Sequence, residues 1–204
     1  MSSSPLTDCI VLCGPHGSGK TEIAKAWANR VDGQAVSFAD PIRAEVARAI
    51  AINDRSVWEA GGINIERFNA LYMKIIFAMN DPFIKDHYRV PLQDWGDWRT
   101  QNDLNYWLRP FDNMYALVRK AGIPLACGDV RLNNQRDLLK SWGFIFILLE
   151  PGPYVRDQGE RVNHETEKYW PTWNYDYTLS FEEGIDHQVD RLMKLGLTGR
   201  HDDN

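Results

Sequence analysis

The stretch DCIVLCGPHGSGKTEIAKAWANR, from Asp8 to Arg30, decides the fold of this chain. Its apolar run Cys9 to Cys13 has the length of a buried strand, and Gly14 to Thr21 then reads G-x-x-x-x-G-K-T before a helical pattern begins. A strand, a glycine-rich loop and a helix in this order form a P-loop, whose backbone N–H groups point at phosphate oxygens. The stretch therefore predicts a nucleotide-binding loop in an α/β fold.

Each residue type in this loop suits phosphate chemistry. The glycines let the backbone curl, Lys20 supplies a cation to the β- and γ-phosphates, and the Thr21 hydroxyl is placed to hold Mg²⁺. ATP and Mg²⁺ are thus the expected cofactors, with Thr21 as the metal ligand. The expected cofactor-binding residues of the loop are Gly14, His16, Gly17, Ser18, Gly19, Lys20 and Thr21. The loop does not identify the reaction, because motors, GTPases, ATPases and small-molecule kinases share it.

Length and composition favour one globular domain. The chain has 204 residues, of which 44% are hydrophobic and 25% charged, which excludes a disordered protein. The net charge of −5, without a basic run, argues against a nucleic acid or a membrane surface as a partner. The first residues lack the features of a signal peptide, and no apolar run reaches the length of a membrane span. We expect a cytoplasmic protein whose Cys9, Cys13 and Cys127 are buried free thiols.

Beyond the loop, apolar runs of strand length alternate with segments of helical periodicity. Strands are predicted at 34–38, 123–128, 144–149 and 175–179, and helices at 41–50, 65–79, 100–108, 111–121, 135–142 and 185–193. This alternation predicts a P-loop kinase-type three-layer sandwich, a mostly parallel sheet with helices on both faces.

We expect one domain over residues 1–204 with two inserted segments, about 54–122 on the substrate side and 150–173 as a lid. Residues 80–99 are interpreted as an irregular functional loop, because prolines interrupt their pattern. Residues 198–204 are predicted to form a frayed tail.

Charged residues follow two of the predicted strands. Asp40 follows strand 34–38, and Asp129 and Arg131 follow strand 123–128, at the carboxyl ends where open α/β sheets bind ligands. Arg131 is the best candidate to grip a phosphate, since a guanidinium matches phosphate oxygens in two-point contact. Asp129 is interpreted as a group in the Mg²⁺ water shell, as a partner that orients Arg131, or as a general base if the acceptor is a hydroxyl. For Asp40, a role as a helix N-cap is as good an interpretation as a role in ligand binding.

The inserted segments supply further candidates. Arg99, Arg156 and Arg161 are the other cations expected around the phosphates, with a surface role as the alternative. Trp95 and nearby rings are candidates to stack on a nucleobase, with core packing as the alternative. The group His164, Glu165 and Glu167 does not predict a metal cluster, because no second histidine or cysteine stands nearby at ligand spacing.

Three short motifs downstream of the P-loop resemble those of the phage-type deoxynucleoside monophosphate kinases. They are SFADP at Ser37 to Pro41, DVRLNNQRD at Asp129 to Asp137, and H-x-x-E at His164 to Glu167. The resemblance runs through most of the chain but is dense only in these motifs. Leu132 to Gln135 depart from the aromatic residue, Pro, Asn and Glu that usually follow DVR in that family.

The resemblance implies transfer of the ATP γ-phosphate to a natural or modified deoxynucleoside 5′-monophosphate, often by a homodimer, and in the host cytoplasm if the chain is phage-encoded. It implies that Asp40 and Arg43 border the monophosphate, that Arg99 and Arg131 contact phosphate, and that a lid carrying Arg156 and Arg161 closes over ATP. The expected catalytic residues are Lys20, Arg99, Asp129 and Arg131. The expected substrate-binding residues are Asp40, Arg43, Trp95, Arg99, Arg131 and Glu167.

Two other functions remain open from the residues. One is a P-loop kinase with a hydroxyl acceptor, such as a nucleoside, a small metabolite or a hydroxymethylated base in DNA. The other is an ATPase switch subunit, in which hydrolysis moves a partner protein.

Overall fold

The computed structural model of the chain describes residues 8–15, 17–81, 83–150, 169–180 and 184–199. His16, Arg156, Arg161 and Glu167, with most of the predicted lid, lie outside these residues. No helix in the described part of the chain is both long and apolar enough to cross a membrane.

The strands are β1 (Cys9–Cys13), β2 (Gln34–Val36), β3 (Trp58–Glu59), β4 (Gly62–Ile63), β5 (Leu125–Cys127), β6 (Ile145–Leu149) and β7 (Tyr177–Leu179). The helices are α1 (Lys20–Arg30), α2 (Ala39–Asn53), α3 (Ile65–Asn80), α4 (Arg89–Asn102), α5 (Leu108–Lys120), α6 (Asn133–Ser141) and α7 (Ile185–Lys194). Short 3₁₀ helices occur at Arg55–Val57, Lys85–Tyr88 and Trp170–Thr172.

The chain divides into two compact units. The sheet unit contains the described residues up to Ser37 and those from Asp112 onward, and the helical unit is Phe38–Phe111. The five strands described in the sheet unit form one sheet of order β2-β5-β1-β6-β7, in which every neighbouring pair is parallel.

Helices cover both faces of this sheet. Ile10 and Leu12 of β1 are buried in one cluster with Trp27 of α1 and Leu192 of α7. Side chains alternate along a strand, so Phe146 of β6 points away from this cluster, and the Lys140 ammonium of α6 lies 5.3 Å from its ring. The predicted α/β class with a parallel sheet and helices on both faces is therefore confirmed.

The C-terminal end of the described chain packs into the sheet unit. The Trp27 indole N–H donates to the Leu197 carbonyl at 2.9 Å, and Leu197 is only 3% exposed. The Gly199 N–H donates to the Asp8 carboxylate, and a Cβ at Gly199 would lie 2.7 Å from Cβ of Val31. The prediction of a frayed tail is therefore wrong for Gly199, because this residue is buried and makes contacts that sequence periodicity does not reveal.

The helical unit is built on the contact between α2 and α3. Val46, Ala47 and Ala51 of α2 are buried against Ile75 and Met79 of α3. The interpretation of Asp40 as an N-cap is wrong, because α2 already begins at Ala39 and Phe38 occupies the cap position. Pro41 then falls in the first turn of the helix, where its missing N–H costs nothing.

The prediction of an irregular loop at 80–99 is also wrong. Most of this segment is helical, as the 3₁₀ turn Lys85–Tyr88 followed by α4. Pro91 lies in the first turn of α4 and so does not interrupt it. The helix predicted at 100–108 instead ends at Asn102, because the Asp103 carboxylate accepts the Asn105 N–H in a tight turn.

Candidate nucleotide-binding site

The loop between β1 and α1 depends on its glycines. Gly14, Gly17 and Gly19 have φ of 144°, 83° and 78°, a region that other residues rarely adopt. At Gly14 a Cβ would also lie 2.5 Å from the carbonyl oxygen of Leu149. Conformation and space therefore both require glycine where β1 ends.

The first turn of α1 offers backbone donors to a ligand. The helix begins at Lys20, and no side chain caps it, since the N-cap residue is Gly19. The N–H groups of a first helical turn have no partner within the helix, and the helix dipole favours an anion there. Thr21 lies in the same turn with an exposed side chain. This geometry suits a phosphate group.

Lys20 brings a positive charge into the loop. Its ammonium donates to the carbonyl oxygens of Gly14 at 2.8 Å and Pro15 at 2.6 Å, and lies 3.3 Å from the Ser18 hydroxyl oxygen. These three contacts hold the charged group along the inner side of the loop. The predicted role of Lys20 as a cation for phosphate requires this placement.

The loop lies between β1 and β5, where the strand order of the sheet reverses. The helix that follows β1 packs on one face of the sheet, and α6, which follows the neighbouring strand β5, packs on the other. In open α/β sheets such a point forms a crevice at the carboxyl ends of the strands, and ligands bind there. A Cβ at Gly128, just after β5, would lie 3.0 Å from the Lys20 carbonyl. Asp129 and Arg131 therefore follow directly beside the start of α1.

Asp129 is held from two directions. The Ser37 hydroxyl, directly after β2, donates to one carboxylate oxygen in a short hydrogen bond, and the Cys127 thiol donates to the other at 3.2 Å. Burial raises the pKa of Cys127 well above its ordinary value, so this side chain is a neutral thiol and can donate. The carboxylate thus joins the ends of two neighbouring strands.

Gln135 shapes the turn that carries Arg131. Its buried side-chain oxygen accepts the backbone N–H groups of Arg131 at 2.9 Å and Leu132 at 3.2 Å. The exposed Arg131 side chain therefore extends from a fixed backbone. Sequence reasoning missed this role, although a glutamine in the first turn of a helix is a capping signal.

A small cavity adjoins the loop within the sheet unit. Its volume is about 180 Å³, and Ile23, Leu149, Leu179 and Ile185 give it apolar walls. The backbone of Gly17 to Gly19 forms one side. The buried Gln188, whose amide donates to the Ser180 carbonyl, supplies a polar group. An apolar wall with few polar groups is typical of a small-molecule site.

The other predicted binding residues lie in the helical unit. Asp40 and Arg43 form an ion pair of 2.7 Å on α2. The Arg99 guanidinium pairs with Glu45 at 3.1 Å, and it lies 4.8 Å from the ring centroids of both Trp98 and Tyr106. Arg99 is thus held by one carboxylate and lies against two aromatic rings.

Glu45 connects α2 to the next elements of the helical unit. Its carboxylate accepts from the Trp95 indole N–H at 2.9 Å and from the Tyr106 hydroxyl at 2.6 Å. Partial burial works against ionisation, but these hydrogen bonds and the Arg99 charge outweigh it and hold the pKa of Glu45 below its ordinary value. The carboxylate is therefore ionised at neutral pH.

A larger pocket lies between α2 and α4 within the helical unit. Its volume is about 850 Å³, within the range of sites for small molecules. Its apolar walls are Val46, Ala49, Ile50, Pro91, Trp95 and Trp98, and its polar groups are Asn53, Asp54 and Asp94. The pocket lining contains carboxylates and no cationic side chain.

The sheet unit brings together the loop glycines, Lys20, Thr21, Asp129 and Arg131 at one edge. Asp40, Arg43, Trp95 and Arg99 belong to the helical unit. Among the described residues, no group of three or more histidine, cysteine, aspartate or glutamate side chains could hold a metal. A hydroxyl and a carboxylate, those of Thr21 and Asp129, fit Mg²⁺ that arrives on a nucleotide, because this ion takes few protein ligands and keeps phosphate and water.

The prediction of buried free thiols is confirmed. Cys9, Cys13 and Cys127 are all buried and free. Burial raises the pKa of Cys13 to about 12, so its thiol is neutral.

Comparison with solved structures gives distant likenesses. No protein-family model and no curated protein sequence matches the chain. An unliganded sugar kinase from Janibacter is 16% identical over 96% of this chain and all of its own, with a TM-score of 0.47. The APS kinase of Mycobacterium tuberculosis is 16% identical over 94% of this chain and 98% of its own, with a TM-score of 0.34.

Proposed function

We propose that this protein is an ATP-dependent phosphotransferase that converts a deoxynucleoside 5′-monophosphate to the diphosphate. One observation carries the proposal: a P-loop with Lys20 on its inner side stands at the crevice of a parallel sheet, next to the strand end that carries Asp129 and Arg131. Phosphoryl transfer needs little more than positioning and charge stabilisation, and these groups supply both.

The roles of the residues follow from their chemistry. The first turn of α1 and Lys20 bind the β- and γ-phosphates of ATP, and the apolar cavity beside the loop receives another part of the nucleotide. Mg²⁺, when bound, supplies positive charge to the transferring phosphoryl group. Thr21 and Asp129 are the residues that would hold it, directly or through water. Arg131 stabilises the negative charge of the transferred group.

The pocket of the helical unit supports a preference among acceptor bases. Trp95 and Trp98 offer faces for stacking, and the carboxylates of Asp54 and Asp94 accept hydrogen bonds. Cytosine, adenine and guanine carry an exocyclic amino donor, whereas thymine does not. Arg43 lies seven residues before Ile50 on α2, about 10 Å along the helix axis, and it is our candidate for the acceptor phosphate.

We also propose a cellular location and an oligomeric state for the protein. Three buried free thiols support a reducing compartment such as the cytoplasm. A homodimer, encoded by a phage, is what the motif resemblance implies.

One observation favours a second candidate, a kinase with a hydroxyl acceptor. The carboxylate of Asp129 is held in place, which is what a general base for a hydroxyl requires. A monophosphate acceptor needs no base, because its second pKa near 6 leaves it mostly ionised at pH 7.

Product analysis with a panel of acceptors tests the proposal. Purified protein is incubated with ATP, Mg²⁺ and ordinary or modified deoxynucleoside monophosphates, or with the matching nucleosides, and products are separated by ion exchange. We expect equal amounts of ADP and deoxynucleoside diphosphate, and faster turnover of monophosphates with an amino-bearing base than of thymidine monophosphate. Phosphorylation of nucleosides alone would overturn the proposal, and so would ATP hydrolysis unaffected by any acceptor.

Two arginine variants sharpen this test. Arg131→Ala should lower kcat about 100-fold, because a group that stabilises transition-state charge is lost. Arg30→Ala is the matched control, since Arg30 makes a surface ion pair with Asp190 at 3.4 Å and should alter turnover less than about twofold.

A further inference from the structure

The contacts of Asp129 contain a feature that phosphate binding does not require. Each of its carboxylate oxygens accepts a hydrogen bond from a different neighbour, the Ser37 hydroxyl on one side and the Cys127 thiol on the other. Ser37 is 92 residues away in sequence, and it reaches Asp129 because β2 and β5 are adjacent parallel strands. Val36 pairs with Cys127, so the residues that follow the two strands emerge side by side.

These two donors fix a torsion that is otherwise soft. The carboxylate of an aspartate rotates about a broad, roughly two-fold torsion that rotamer preference scarcely restrains. A donor on each oxygen restricts this rotation and so fixes the orientation of the carboxylate. The two donors differ in strength, because a thiol is a weak donor and a serine hydroxyl an ordinary one. Of these two donors, Ser37 therefore supplies the stronger restraint.

The two donors connect Asp129 to different parts of the sheet. Cys127 is fully buried, with 0% of its surface exposed, and it is the last residue of β5, just before Gly128 and Asp129. Ser37 is only partly buried. It directly follows the neighbouring strand β2, so its hydroxyl connects Asp129 to a second strand of the sheet.

We propose that Ser37 is a positioning residue for phosphoryl transfer, which acts by holding the Asp129 carboxylate in the orientation that serves Mg²⁺ and its water. This inference rests on the proposed function, in which Asp129 belongs to the Mg²⁺ site. Outer groups that orient a metal-binding carboxylate typically contribute 10- to 100-fold to metal affinity or activity.

Variants at Ser37 test the proposal directly. Ser37→Ala should lower kcat about 10-fold and raise the Mg²⁺ concentration for half-maximal rate several-fold, with the KM for ATP within about twofold of the wild-type value. Ser37→Thr keeps the hydroxyl and should restore most of both losses. Ser141→Ala is the matched control, because the Ser141 hydroxyl donates only to the Leu138 carbonyl within α6 and should change neither quantity.

A double-mutant cycle shows whether Ser37 acts through Asp129. Asp129→Asn removes the carboxylate. Adding Ser37→Ala to this variant should lower kcat further by less than about twofold, because the effects of coupled residues are not additive. The Ser37 proposal is overturned if the two losses multiply, or if Ser37→Ala leaves the Mg²⁺ dependence unchanged in a protein of wild-type thermal stability.

The failure of this inference differs from that of the proposed function. If Asp129→Asn is as active as the wild type, the role of Asp129 itself is wrong and Ser37 has nothing to position. If Asp129→Asn is impaired while Ser37→Ala behaves like Ser141→Ala, the Mg²⁺ role of Asp129 stands and only the positioning role of Ser37 is excluded.

Discussion

Gly128 shows how one missing side chain can shape the candidate site. Its ideal Cβ position lies 3.0 Å from the carbonyl carbon and oxygen of Lys20 and 3.1 Å from Cα of Thr21. These neighbours are backbone atoms at the start of α1, so they cannot rotate away as a side chain would. Any residue larger than glycine must therefore displace the first turn of α1 or the end of β5.

We expect Gly128→Ala to weaken ATP binding about tenfold, since a shift of a few tenths of an ångström misaligns the loop donors. Titration calorimetry with ATP and Mg²⁺ measures the effect. Gly61→Ala is the control, because a Cβ at Gly61 meets no atom within 4 Å and should leave affinity unchanged. Wild-type affinity in a stable Gly128→Ala protein would contradict the steric argument.

The sequence alone could predict residues whose role is local. Lys20 and the loop glycines belong to one continuous motif, and the structure places Lys20 against that loop as the motif requires. The contact of Ser37 with Asp129 and the close approach of Gly128 to Lys20 were not predicted, because both depend on strands that pair only in the folded sheet. Gln135 was missed for a different reason, since its capping signal is weak in isolation.

At the scale of elements, α4 illustrates the limits of reading proline as a breaker. A proline in the first turn of a helix is tolerated. The sequence does not show that Pro91 lies in a first turn, because this depends on where the helix begins, and the structure places that start at Arg89. The aromatic residues of this segment are not loop residues. Trp95 and Arg99 lie one turn apart on α4, and both bond to Glu45 of α2.

Glu45 should make the stability of the helical unit depend on pH. Its pKa is below the ordinary 4.5 in the folded protein, so the stability that it contributes is present above about pH 4.5 and is lost as the pH falls through the folded value. We expect Glu45→Gln to destabilise the protein at pH 7 by about 1–3 kcal/mol, and the difference from wild type to shrink towards pH 3. Urea denaturation at several pH values measures this difference.

The control for this experiment is Glu22→Gln. Glu22 and Lys25 form an ion pair of 3.0 Å in which both side chains are more than half exposed, and such pairs contribute little. Glu22→Gln should therefore have a small effect on the stability of the protein at every pH. A Glu45→Gln deficit that is the same at pH 7 and pH 3 would show that the lost contacts do not depend on the carboxylate charge.

At the scale of the whole molecule, apolar patterning predicted the class of fold. Strands that are buried on both faces read as continuous apolar runs, and this identified β1 and β6 in particular. The order β2-β5-β1-β6-β7 could not be predicted in the same way, because the pairing of distant strands leaves no local signal. The packing of the chain end was not predicted for the same reason, since Leu197 and Trp27 are 170 residues apart in sequence.

We expect Leu197→Ala to destabilise the protein by about 3 kcal/mol, the usual cost of a cavity left by a buried leucine. Leu195→Ala should cost less than about 1 kcal/mol, because Leu195 is 37% exposed. Chemical denaturation of both variants gives the comparison. Equal effects would mean that the chain end contributes no core.

The central position of β1 has a consequence for synthesis on the ribosome. This strand leaves the exit tunnel first, but its two neighbours, β5 and β6, follow more than 100 residues later. The helical unit is one continuous segment and can acquire its contacts while translation continues. The nascent β1 must wait for these partners, so the glycine-rich loop that follows it can take its folded geometry only after β5 and β6 have been made.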